Sequence, residues 1–123
     1  MIVATARIAA ELLAPCFAGR EAGAVAVLHL GSGQRLLATA IAERKGSKAE
    51  LPIREILAAA LRTGAVSLIV AHARPNGDPA PGEQDRAAAR SLAEAAAAAG
   101  LRLADYLIFA GSECCSFRGV GLL

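Results

Sequence analysis

His72 and Asp85 are the side chains in the middle of the chain whose types could support metal or acid–base chemistry. Imidazole and carboxylate groups are both common zinc ligands. Each also has a simpler explanation: His72 as a strand-end histidine satisfied by hydrogen bonds, and Asp85 as a carboxylate in the first turn of a helix. Arg74 would then be an exposed loop charge. Residue types alone therefore leave both a metal site and a purely structural role open.

Local composition predicts the elements that carry these side chains. Val66–Ala71 is a continuous apolar run rich in β-branched residues, which predicts a buried strand. His72–Gly82 is rich in proline and glycine and is predicted to be a loop. Glu83–Ala99 is rich in alanine, begins with acidic residues and is followed by glycine, as expected for a helix. The candidate side chains should therefore lie where a strand ends and the next helix begins.

Apolar periodicity and turn residues predict the other elements. They are a helix at Ala4–Ala14, a hairpin of strands Ala24–Leu30 and Arg35–Ile41, a loop or irregular strand at Ala42–Leu51, a helix at Ile53–Thr63, a strand at Leu101–Ala110 and a final short element at Ser116–Leu123. The Gly31–Gly33 turn is not a dinucleotide loop, because a third glycine and a following helix are missing. No linker or repeat is visible, so we expect one domain.

The composition argues against several classes of protein. Hydrophobic residues make up 55% of the 123 residues, but no run of about 18 apolar residues occurs, so we expect no membrane span. Arg7 and Glu11 interrupt the apolar start, which argues against a signal peptide and favours a cytoplasmic protein. Three cysteines do not suggest a disulfide framework. With a net charge of +2 and 3% aromatic residues, strong DNA binding is not expected.

Four segments, taken in order, resemble the bacterial RadC family. From His72 to Asp85 the chain reads HARPNGDPAPGEQD, where the family reads roughly HNHPSGDPxPSxxD. This is the RadC form of the JAMM metalloprotease motif, HxHP followed by SxxD, and the spacing agrees without a gap. The other three segments are IREI at 53–56, similar to the family's PRE-plus-apolar helix start; LADYLI at 103–108, similar to LLDHII; and SFR with a terminal GLL, similar to SFRExGLL.

The resemblance extends over nearly the whole chain and implies the family's fold. That fold is JAB/MPN, an α/β (α+β), cytidine-deaminase-like, three-layer arrangement with a mixed central sheet flanked by helices. Residues 1–123 are accordingly identified as a single RadC-like JAB/MPN domain, without the helical hairpin DNA-binding module that precedes the domain in longer family members.

The resemblance also assigns the metal-binding positions. Two histidines and an aspartate hold zinc in the JAMM motif, and the metal keeps an open position for water. His72 matches the first histidine and Asp85 matches the aspartate. The second histidine is replaced by Arg74, which stays protonated and cannot ligate zinc. Asp78, in the retained Gly-Asp-Pro portion, is expected to line the site.

Two further catalytic positions depart from the family pattern. The serine that helps to hold the oxyanion is Gly82, which has no hydroxyl group. The glutamate that serves as general base aligns with Gly23. Glu21, two residues earlier, could substitute for it only with a local shift of the backbone. The resemblance therefore implies a JAMM site in which one ligand and the serine are lost and the base is displaced.

Three functions remain open at this stage. The first is a catalytically inactive pseudo-metalloprotease that binds a protein partner or nucleic acid, or forms a homo-oligomer, without any cofactor, with DNA repair as the family's general association. The second is a zinc-dependent hydrolase (a metallopeptidase or isopeptidase, or an enzyme acting on a nucleic-acid bond) whose site is repaired by Glu21, Cys114 or Cys115. The third is a structural module that assembles through its alanine-rich helix. If the site is metal-free, we expect Arg74 to pair with Asp85, with His72 beside them as a neutral group.

Overall fold

Alternation of buried side chains along the strands places apolar residues on both faces of one sheet. The computed structural model describes residues 1–18, 24–43, 51–74 and 77–123. Its helices are α1 (Ala6–Leu13), α2 (Ile53–Arg62) and α3 (Glu83–Ala98), and its strands are β1 (Ala24–Leu30), β2 (Leu36–Glu43), β3 (Ser67–Ala73), β4 (Arg102–Ala110) and β5 (Glu113–Ser116). Short 3-10 turns occupy Ala14–Phe17 and Ser32–Gln34.

The five strands form a mixed sheet in the order β2-β1-β3-β4-β5. The pairs β1·β2, β1·β3 and β4·β5 are antiparallel, whereas β3·β4 is parallel. A parallel pair needs a long crossover, and α3 supplies it between β3 and β4. This arrangement confirms the predicted α/β class with a mixed central sheet.

Helices cover both faces of the sheet and complete three layers. On one face, α2 and α3 pack against side chains such as Val27, Leu68 and Val70. On the other face, α1 packs against side chains such as Leu28 and Ile69. The three central strands, β1, β3 and β4, contribute alternate residues to the two cores, as the two-residue period of a strand requires. The candidate site lies on the α2/α3 face.

Two boundaries near the site and the C-terminus differ from those predicted. The loop predicted to begin at His72 begins after Ala73, because the backbone of β3 continues to pair with β4 through this position. The predicted final element at Ser116–Leu123 is wrong: the strand is Glu113–Ser116, and turns follow it. Gly111, at φ 59°, turns the chain early enough for this strand to pair with the end of β4.

The remaining predicted elements are present with shifts of a few residues at their ends. Within the segment predicted as loop or irregular strand at Ala42–Leu51, Ala42 and Glu43 extend β2, and residues 44–50 lie outside the described part of the chain. Across the described residues, we find no helix that combines the length and apolar character needed to cross a membrane.

Candidate functional site

The C-terminal end of β3 and the N-terminal end of α3 meet at the predicted site. His72 and Arg74 are two residues apart, so an extended backbone directs both side chains to the same face. Asp85 lies in the first turn of α3, three residues after the N-cap residue Gly82. The motif spacing therefore does bring these side chains together, at the edge of the core formed with α2 and α3.

Arg74 pairs with Asp85, as predicted for a site in which arginine replaces the second histidine. Its Nη2 lies 2.5 Å from Oδ2 of Asp85. The guanidinium does not bond the carboxylate through two nitrogens. Its Nη1 donates instead to the carbonyl oxygens of Asp78, at 2.9 Å, and Ala80, at 3.1 Å. One guanidinium therefore ties the end of β3 to the following loop and to the start of α3.

The Asp85 carboxylate is largely buried and well supplied with hydrogen-bond donors. Its side chain is 14% exposed, and Oδ2 also accepts the Gly82 N–H at 2.8 Å. Burial on its own raises the pKa of Asp85, but the Gly82 N–H bond, the Arg74 bond and the Arg74 charge together lower it below the ordinary value. Asp85 is therefore an anion at neutral pH, and its charge is balanced by Arg74.

The two glycines and the aspartate of the loop have distinct structural roles. A Cβ atom on Gly77 would lie 2.6 Å from Cδ and 2.8 Å from Cγ of Arg74, so this position has no room for a side chain. A Cβ on Gly82 would make only an ordinary contact, 3.5 Å from Oδ2 of Asp85. Asp78, predicted to line the site, reaches Arg74 through its carbonyl, and its carboxylate accepts the Ala80 N–H at 2.9 Å.

His72 lies beside the ion pair and contacts a tyrosine that the motif analysis did not assign to the site. Its Nε2 is 3.7 Å from Oδ1 of Asp85, and its Nδ1 is 2.7 Å from the hydroxyl of Tyr106. Both residues are buried, and their rings meet edge to face. The only signal in the sequence was that Tyr106 replaces a histidine of the family strand.

The donor set at this place does not fit a zinc ion. Arg74 occupies the position of a ligand without being able to act as one, and its guanidinium is bonded to Oδ2 of the Asp85 carboxylate. No group of three histidine, cysteine, aspartate or glutamate side chains in the described residues could hold a metal. Glu21 and Gly23 lie outside the described residues.

The two cysteines considered as replacement ligands are poorly suited to that role. Cys114 and Cys115 are neighbours on β5, so an extended backbone directs their side chains to opposite faces. Burial and nearby negative charge raise the pKa of Cys114 to about 11 and also raise the pKa of Cys115. Both therefore remain thiols at neutral pH, whereas a metal ligand or nucleophile must be a thiolate.

A second polar cluster gives the SFR segment at 116–118 a structural role. The buried Asp105 carboxylate accepts the Ser116 hydroxyl at 2.5 Å and the Arg118 N–H at 3.0 Å. The Tyr106 N–H also bonds to it, at 2.7 Å. Both carboxylate oxygens are thus satisfied within the fold, and Asp105 anchors the turn after β5 to β4.

Comparison with known proteins agrees with this fold. The family model of the RadC-like JAB domain matches residues 3–122. The UPF0758 protein NMB1038 of Neisseria meningitidis is 37% identical over 107 residues, covering 85% of this chain but 48% of that protein. The UPF0758 protein YeeS of Escherichia coli is 31% identical over 118 residues, covering 95% of this chain and 80% of that protein. The chain thus spans about half the length of the first of these relatives. It belongs to the RadC-like JAB domain family.

Proposed function

We propose that this chain is a catalytically inactive RadC-like JAB domain that acts by binding a macromolecular partner. The observation that supports this is the Arg74–Asp85 pair at the place where the JAMM motif holds its metal. A pseudo-metalloprotease of this kind keeps the fold and the surface around the old site, but it needs no cofactor. We expect the partner to be a protein, a second copy of the chain included.

Three features of the site argue together for this function. Arg74 satisfies the charge of Asp85, so the loop and helix are held without a metal ion. Gly82 has no hydroxyl to stabilise an oxyanion. Gly23 occupies the position aligned with the general base. Loss of a ligand, an oxyanion group and a base in one site leaves little with which to activate water.

Zinc binding by the purified protein tests this proposal. We expect the wild-type chain, purified without chelators, to carry substoichiometric zinc by elemental analysis. Arg74→His supplies the third ligand type. Because even an outer partner of a metal ligand is worth about 10–100-fold in metal affinity, this variant should bind zinc about 10-fold or more tightly in equilibrium dialysis. It should not gain peptidase or isopeptidase activity, because the hydroxyl and the base are still missing.

The alternative, a zinc-dependent hydrolase with a modified site, predicts the opposite pattern. Wild-type protein would then carry one zinc ion per chain, and its zinc content would fall on changing Glu21, Cys114 or Cys115 to alanine. Stoichiometric zinc in the wild-type protein would refute the inactive function.

Arg74→Gln serves as the control for Arg74→His, because it removes the same charge without adding a metal ligand.

A further inference from the structure

A cavity of about 400 Å³ lies on the face of the sheet that α1 covers, opposite the face that carries Arg74 and Asp85. Its floor is apolar and includes Leu30, Ile69 and Ala104, one residue from each of the three central strands. The segment that leads into α1 forms one wall, and the turn after β5 forms another. This volume falls within the range of small-molecule sites, about 300–1,000 Å³.

Three irregularities of the backbone border this cavity. The pairing of β1 with β2 shifts register next to Leu30, and the pairing of β3 with β4 shifts register next to Ile69. Gln34, which also lines the cavity, has a positive φ of 62°, and among the described residues no other non-glycine residue has one. Bulges and left-handed non-glycine residues are concentrated at functional sites, where a side chain is placed at some cost to the backbone. Their convergence is therefore expected at a binding site.

The polar groups that the cavity leaves available include a cationic donor. In the described part of the chain, we find no side-chain hydrogen bond or ion pair of Gln34, beside the segment leading into α1, or of Arg118, on the turn after β5. The Asp105 carboxylate also lines the cavity, but it already accepts the Ser116 hydroxyl and two backbone N–H groups. A guanidinium can only donate, and a carboxylate matches its planar fork with two parallel bonds.

We infer that this cavity binds a small carboxylate that carries an apolar chain. The carboxylate pairs with the Arg118 guanidinium and accepts from the Gln34 amide, while the chain lies on Leu30, Ile69 and Ala104. This explains why a glutamine occupies a position with positive φ, since glycine would adopt that conformation freely but would supply no amide. The site lies on the other face of the sheet from the altered JAMM motif, so the inference goes beyond the proposed function and does not depend on it.

A titration followed by proton–nitrogen correlation NMR tests the inference with probes that separate charge from chain. Hexanoate is the principal probe. Hexanol and hexylamine keep its chain without the negative charge, and acetate keeps the charge with almost no chain. We expect hexanoate to cause saturable shifts at N–H groups around the cavity, such as those of Ala104 and Gly119. The other three probes should bind about 10-fold or more weakly, because each lacks either the charged hydrogen bonds or the buried chain.

Variants at the two donors test their separate roles. Arg118→Gln should weaken hexanoate binding about 10-fold, and Arg118→Lys should restore part of the loss. Both variants should fold, because the bond to Asp105 uses the backbone N–H of residue 118. Gln34→Gly should weaken binding while the urea midpoint of the ligand-free protein stays equal or rises, since glycine tolerates the positive φ. Arg86→Gln, on α3 at the other face, is the matched control and should leave binding unchanged.

A free aliphatic acid and the C-terminus of a peptide present the same group to this site. N-acetyl-alanyl-leucine has a peptide bond beside its carboxylate, so tighter binding than hexanoate assigns the site to peptide ends, and weaker binding assigns it to free acids. Three results would overturn the inference: hexanol or hexylamine binding as tightly as hexanoate, no effect of Arg118→Gln, or no saturable shifts around the cavity below about 10 mM hexanoate. The zinc content of the protein tests the proposed function separately and is independent of these outcomes.

Discussion

Arg74 can take over one of the two tasks that a metal ion performs beside an aspartate. A divalent cation neutralises the carboxylate and also activates a bound water. The Arg74 guanidinium neutralises Asp85 through Nη2 and bonds two loop carbonyls through Nη1, which uses the planar fork of the side chain. It has no open coordination position and cannot lower the pKa of a water in the way that zinc does. Under the proposed function, Arg74 therefore performs the structural task of the metal and not the chemical one.

Arg74→Lys separates charge from geometry at this residue. The lysine keeps the positive charge but loses the planar fork, so we expect it to restore only part of what Arg74→Ala removes. Because the Arg74 side chain is 32% exposed, solvent screens the pair, and we expect alanine to lower the free energy of unfolding by about 1–2 kcal/mol. Urea unfolding measures both values. Arg86→Ala is the control, since within the described residues the Arg86 side chain makes one long hydrogen bond, 3.4 Å, to the Pro81 carbonyl. Equal stability of the lysine variant and the wild type would contradict the role of the fork.

At the scale of elements, residues 77–82 form the connection whose shape depends on Arg74. The aliphatic part of Arg74 lies against Gly77, and its guanidinium holds the carbonyls of Asp78 and Ala80. The loop thus wraps around one side chain, between a strand end that is paired with β4 and a helix start that is capped by Asp85.

Gly77→Ala tests whether this loop and Arg74 act as one unit. The new methyl group would meet Arg74 at 2.6–2.8 Å, and the three bonds of the guanidinium prevent the side chain from moving aside freely. We expect a loss of about 1–3 kcal/mol, the usual cost of overpacking. In the Arg74→Ala background the same change should cost much less, giving a coupling energy above about 0.5 kcal/mol in a double-mutant cycle. Additive effects would show that the loop holds its shape independently of Arg74.

The sequence predicted the elements and the position of the site better than it predicted the hydrogen-bond partners of the polar side chains. Apolar runs, helix ends and the motif spacing were enough to place His72, Arg74 and Asp85 together. The contact between His72 and Tyr106 joins residues 34 positions apart and depends on the parallel register of β3 and β4. That register shifts between Leu68 and Ile69, and no local pattern reveals such a bulge. The bonds from Ser116 and Arg118 to Asp105 depend instead on the antiparallel pairing of β4 with β5, a strand that the sequence analysis did not predict at Glu113–Ser116.

At the scale of the whole molecule, Asp85 and His29 lie on the same α2/α3 face of the sheet but in different surroundings. The described residues place Asp85 at the edge of the α2/α3 core, where donors surround it. His29 is 2% exposed, and Nε2 of its ring has no hydrogen-bond partner within the described residues. Burial, and secondarily the charge of Arg62, lower the pKa of His29 below 6.5. Both groups therefore connect the stability of the fold to pH, but in separate ranges.

The stability of the protein should fall in two steps as pH is lowered. Between the ordinary pKa of 6.5 and the lower folded-state pKa of His29, the unfolded chain binds more protons than the folded one, so the free energy of unfolding decreases as pH falls. One group contributes a slope of at most about 1.4 kcal/mol per pH unit. The contribution of Asp85 remains until pH falls below the ordinary value of 3.8, because its folded-state pKa is lowered further.

Urea unfolding of wild type and His29→Leu between about pH 5 and 8 isolates the first step. The leucine cannot titrate, and His72 is present in both proteins, so the difference between the two curves belongs to His29. We expect the wild-type curve to fall below about pH 6.5 and the variant curve to stay flatter over that range. The leucine also removes the buried Nε2, which has no hydrogen-bond partner within the described residues. The variant should therefore lose least stability, relative to wild type, at low pH. Parallel curves would mean that His29 is protonated as easily in the folded protein as in the unfolded chain, and that its burial does not make stability depend on pH.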